Sequence, residues 1–134
     1  IEIKQHKGDT LKGYPETEYN FGKNAARYIL EKKLSVTSLL MMNPWSAIGV
    51  VHSLRELGRK VPEDYSVAAF AGYSVAQFVD PKLTMNYQMP FEVGKVACET
   101  LISLLASKDQ DTVEDRIFQS KIIVGDTTCE IPTK

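Results

Sequence analysis

The sequence is short of the residues on which most protein chemistry is built. Among 134 residues there are two cysteines, Cys98 and Cys129, and two histidines, His6 and His52. The cysteines have no C-x-x-C spacing and no histidine beside them, so no zinc site, dithiol motif or disulfide is read from them. Their sparse use fits a reducing cytoplasm. The histidines lie outside any nucleophile motif such as G-x-S-x-G, which leaves a serine or cysteine nucleophile without a base. The eight glycines are scattered singly, giving neither G-x-G-x-x-G nor a Walker loop, and so no local cradle for a phosphate. No catalytic residue, metal ligand or cofactor is assigned.

Long apolar runs are missing as well: nothing approaches the roughly 18 consecutive apolar residues of a membrane span, and no membrane partner is expected. Excess charge is missing too, with 16 basic and 17 acidic residues and a formal net charge of −1. Lys32-Lys33 and Arg59-Lys60 are isolated pairs, so the basic stripe of a nucleic-acid surface is absent. With 43% apolar and 25% charged residues, the chain is that of one soluble globular domain with a real core. It opens at Ile1 without a methionine or a signal-peptide pattern, which suggests a piece of a longer protein.

What is present is an alternation of helical and strand patterns. After a short strand and a polar loop through Pro15, Phe21, Ala25, Tyr28 and Ile29 recur at helical spacing. Asn20 or Thr17 can cap this helix, which is expected to run to about Lys33. Val36–Met42 (VTSLLMM) reads as a strand buried on both faces. Ala47, Val50, Leu54 and Leu57 mark an amphipathic helix over Ser46–Leu57, and Gly58 stands where a left-handed cap belongs. Tyr65–Ala71 is a second buried strand and Leu83–Gln88 a third extended piece. Pro90–Ala106 is a long helix with proline at its permissive first position, and Arg116–Val124 closes the series as a strand. Strands separated by helices predict an α/β fold with an open, mainly parallel sheet flanked by helices.

Ligands of such sheets bind beyond the carboxyl ends of the strands. Asn43, Pro44 and Trp45 follow the first buried strand there, and Ala71, Gly72 and Tyr73 follow the second. Trp45 and Tyr73 offer flat apolar faces with one polar atom each, suited to stacking on a sugar or a ring, or equally to packing in a core or an interface. Glu63-Asp64 point apart and read as a solvated turn. His52 reads as a solvated residue on the outer face of its helix.

An ordered series of residues resembles the effector-binding domain of LacI/GalR-type transcription regulators, itself similar to periplasmic sugar-binding proteins. The series is NPWSAIG at 43–49, LRELGRKVPEDYSV at 54–67, Phe70, PKLT at 81–84 and QMPFEVG at 88–94, covering about Tyr19 to Val124. The resemblance implies the second half of such a domain, a partial periplasmic-binding-protein-like type I lobe, with the first lobe and any DNA-binding headpiece outside these residues. It implies a cytoplasmic sensor that binds a small molecule between two lobes and contacts DNA only through an attached head.

The departures from the family pattern matter as much as the matches. Where the family usually has Asn-Asp this chain has Asn43-Pro44, and proline offers a hydroxyl neither a side-chain acceptor nor an amide donor. Ala69-Phe70-Ala71-Gly72 replaces Gly-Phe-Asp-Asp, and Gly125-Asp126-Thr127 replaces Arg-x-Ser. The implied site uses Asn43, Trp45, Tyr73 and Gln88, for a sugar-like or phosphorylated metabolite. Ile48 lies about 100° around its helix from Ala47, on what should be the wet side next to His52 and Arg55. The resemblance places a homodimer contact there, through Ile48, Val51, His52 and Arg55; a single tolerated surface isoleucine is the plain alternative. A solute-binding protein serving a transporter and a fragment of an α/β enzyme are the competing readings of the whole.

Overall fold

The computed structural model describes residues 14–70, 78–106 and 115–130. Seven elements follow one another: α1 Tyr14–Glu31, β1 Ser38–Met41, α2 Pro44–Glu56, β2 Ser66–Phe70, β3 Thr84–Tyr87, α3 Pro90–Ala106 and β4 Lys121–Ile123. The strands form one sheet in the order β1-β2-β3-β4. β1, β2 and β3 are parallel, with Leu39 opposite Val67 and Ala69 opposite Met85. β4 returns antiparallel, pairing Ile123 with Met85, so the mainly parallel sheet is mixed at this strand.

α1 and α2 lie on one face of this sheet. Leu54, Val50 and Ala26 meet Val67, Ala69, Met41 and Met85 in the core. The two helices approach unusually closely: a methyl group at Gly22 would overlap the Ser46 carbonyl, and one at Gly49 would overlap the Tyr19 carbonyl. Both glycines are therefore requirements of helix packing. Each helix ends in a Schellman motif. Leu34 N–H bonds Ile29 O after α1, with Lys33 at φ 49°, and Arg59 N–H bonds Leu54 O after α2, with Gly58 at φ 75°.

The opposite face has no such cover among the described residues. β1 was expected to be buried on both faces, but Leu40 is 71% exposed while its neighbour Met41 is buried. Strand alternation sends Leu39 and Met41 toward the helices and Leu40 away from them. None of the residues of α3 is buried. The sheet is closed at β3 instead by the segment after β4. The fully buried Thr127 hydroxyl donates to Val67 O (2.7 Å) and accepts from Thr84 N–H (2.9 Å), while Val67 N–H donates to Thr127 O (2.8 Å). Among the described residues no helix is long and apolar enough to cross a membrane.

Candidate functional site at the strand tips

The parallel register of β1, β2 and β3 brings their carboxyl ends to one edge. Asn43 and Trp45 follow β1 at that edge, Phe70 ends β2, and Tyr87 and Gln88 end β3. Three of the four residues predicted for the site are thus placed on one side of the sheet. Tyr73 lies outside the described residues.

Asn43 is held on three sides. Its Oδ1 accepts the Ser46 N–H at 2.9 Å as the N-cap of α2, its Nδ2 donates to Glu18 Oε2 at 2.7 Å, and its carbonyl accepts the Ser46 hydroxyl at 3.0 Å. The proline at the first position of α2 removes one amide that would otherwise need a partner. Asn43 therefore fixes where Trp45 stands, on the first turn of a capped helix. Trp45 is half-buried and Gln88 exposed, both at residues that follow strands ending at this edge. Glu18 carries no local signal in the sequence; only the packing of α1 on α2 brings it to Asn43.

The predicted contact set on α2 needs correction. Ile48 is 6% exposed and Val51 3%, so Ile48 is not on a wet side. The chain leading into β3 covers it: Ile48, Val51 and His52 line one small cavity with Val79, Asp80, Pro81 and Leu83. His52 is not simply solvated either. Its Nδ1 lies 3.0 Å from the Tyr19 hydroxyl, with the rings edge to face at 5.7 Å. Arg55 is exposed, its guanidinium 3.5 Å from Asp80 O.

An apolar groove of roughly 400 Å³ runs beside β1, the last strand of the sheet among the described residues, lined by Phe21, Ala25, Ile29, Leu39 and Met41 among others. Ser38 is its one polar lining side chain among the described residues, so it lacks the convergent polar groups of a ligand pocket. No group of three or more histidine, cysteine, aspartate or glutamate side chains capable of holding a metal exists among the described residues.

The periplasmic binding protein-like domain model matches residues 2–128. The chain belongs to that family. It corresponds to part of the effector-binding domain of LacI-type regulators, as the relatives show. The HTH-type transcriptional repressor PurR of Vibrio atlanticus is 34% identical over 95 residues, which are 71% of this chain and 28% of that protein. A LacI family transcriptional regulator from Enterococcus faecalis with bound ribose is 27% identical at a TM-score of 0.72, over 80% of this chain and 39% of that one. One from an Arthrobacter species in complex with lactose is 26% identical at a TM-score of 0.68, over 83% and 41%. The chain spans about 28% of the length of the curated relative it matches, and that relative is a repressor, not an enzyme.

Proposed function

We propose that this chain is the effector-sensing part of a cytoplasmic transcription regulator, with the effector seated at the carboxyl edge of β1, β2 and β3. The observation that supports this is the convergence at one edge of a capped, fixed Trp45 and an exposed Gln88 in a family whose solved members hold ribose or lactose. A ligand bridging this edge and a second lobe favours the closed arrangement of the two by its difference in affinity for open and closed states. An attached headpiece then reads the arrangement as a change in DNA affinity, while this chain, at net charge −1, makes no DNA contact of its own.

Homodimerisation through the His52 and Arg55 side of α2 belongs to the same proposal. Arg55 is the exposed member of the predicted set, with Ile48 and Val51 supporting it from beneath. Sedimentation of the full-length protein at micromolar concentration gives a dimer, and Arg55→Glu moves it toward monomer; a monomer throughout contradicts the dimer. A thermal-shift screen against small metabolites finds a saturable ligand whose affinity drops on Trp45→Ala and on Gln88→Ala. A ligand whose affinity neither substitution changes contradicts the placement of the site.

A further inference from the structure

We propose that Glu18 is a positioning residue for Trp45: through Asn43 it holds the first turn of α2, an inference that rests on the sensing role proposed above. α1 meets α2 along one stripe. Glu18 and Gly22 stand one helical turn apart on the same face of α1, and at Gly22 the two backbones pass so closely that a methyl group would strike the Ser46 carbonyl. That contact sets the half-buried Glu18 carboxylate beside Asn43, at the start of α2.

The chemistry of Asn43 gives Glu18 its part. A carboxamide has an acceptor oxygen at one corner and a donor nitrogen at the other. Asn43 Oδ1 accepts the Ser46 N–H at 2.9 Å, so Nδ2 is turned the other way and needs an acceptor, which Glu18 Oε2 supplies at 2.7 Å. An ionised carboxylate accepts and never donates, and a bond to a charged acceptor is about twice as strong as a neutral one. Glu18 thereby selects the one orientation of the amide that caps α2. With the amide turned over, Nδ2 would face the Ser46 N–H, donor against donor, and the cap would be lost. Trp45 lies inside the turn that this cap closes, between Asn43 and Ser46.

A second tie between the same helices supplies the contrast. Lys23 Nζ lies 3.2 Å from Glu56 Oε2 at the last residue of α2, with Glu56 exposed, and an ion pair open to water holds little. Both ties join α1 to α2, and only the one from Glu18 reaches the turn that carries Trp45.

Trp45 is the one tryptophan of the chain, so its fluorescence reports this turn directly. The test uses the 134-residue chain at a temperature where melting curves show every variant folded. Glu18→Ala shifts the emission to the red and opens the indole to quenching by acrylamide. Glu18→Gln, which keeps an acceptor for Asn43, stays close to wild type, and Lys23→Ala leaves the emission unchanged. In calorimetry of the full-length protein with ribose and with lactose, a sugar that binds does so about threefold or more weakly in Glu18→Ala and within about twofold of wild type in Lys23→Ala. Emission that Glu18→Ala leaves unchanged, or that Lys23→Ala moves equally, overturns the inference. Emission that moves while the affinity for a bound sugar does not keeps Glu18's hold on Trp45 and contradicts the sensing role of that residue instead. Silence of the wild type toward both sugars counts against the sensing role as well, and the emission still decides on Glu18.

Discussion

α2 and α3 are both amphipathic helices that begin with proline, and α3 is the more apolar of the two, yet nine residues of α2 are buried and none of α3. α2 runs between two adjacent parallel strands, so its stripe of Ala47, Val50 and Leu54 falls on the sheet. α3 leaves from β3 and packs on no other element among the described residues; Leu101, Ile102 and Leu105 remain more than half exposed. Only an open groove of roughly 430 Å³ separates its inner side from residues 115–118. Composition makes a helix, and the path of the chain decides whether its face finds a core. α2 builds the helix-covered side of the sheet, and the apolar face of α3 stays exposed.

The sharpest way to break this contrast is to truncate one leucine on each helix. Leu54→Ala removes a side chain with no exposed surface and costs about 2–5 kcal/mol in urea unfolding. Leu101→Ala, 57% exposed, changes stability by less than about 0.5 kcal/mol. Equal losses at both sites would mean that α3 has a packed face after all.

Glycines give the next test, with opposite signs. Gly49→Ala drives a methyl group into the Tyr19 carbonyl and destabilises by about 1–3 kcal/mol, because two helix backbones must separate. Gly94→Ala in α3 meets nothing within 4 Å and stabilises by about 0.5–1 kcal/mol through helix propensity alone. Asn43→Ala comes last, at about 0.5–2 kcal/mol for the lost cap, and it also frees the first turn of α2 and Glu18 from each other.

Much of this was legible in the sequence, and the failures share one cause. The bounds of α3, Pro90–Ala106, follow from proline at its first position and the apolar spacing after it. Gly58 marks the end of α2 because only a residue tolerant of positive φ fits there. α2 starts at Pro44, ahead of the Ser46–Leu57 stripe, because the cap from Asn43 reaches over the proline. That β1 and β2 are parallel neighbours follows from the helix between them. The antiparallel sense of β4 has no signal in the local sequence, since α3 is not packed on the sheet as a crossover helix would be. Ile48 misleads because helical periodicity places it outward, and residues 79–83, far along the chain, fold over it. Local pattern reports local structure, whereas cover depends on contacts between distant segments.

That Asn43, Trp45 and Gln88 stand at one edge of the sheet was legible because the carboxyl ends of parallel strands share an edge, which the strand order supplies. Glu18 was not, since nothing in YPETEYNF distinguishes it from Glu16 until α1 is laid against α2.

Amide hydrogen exchange on the 134-residue chain, read residue by residue, measures the difference between the two helices most directly. Amides of α2 and β2 exchange only through global unfolding, while those of α3 exchange through local opening at far lower free energy. Protection of α3 equal to that of α2 would contradict the claim that a single helix-covered face holds this lobe together.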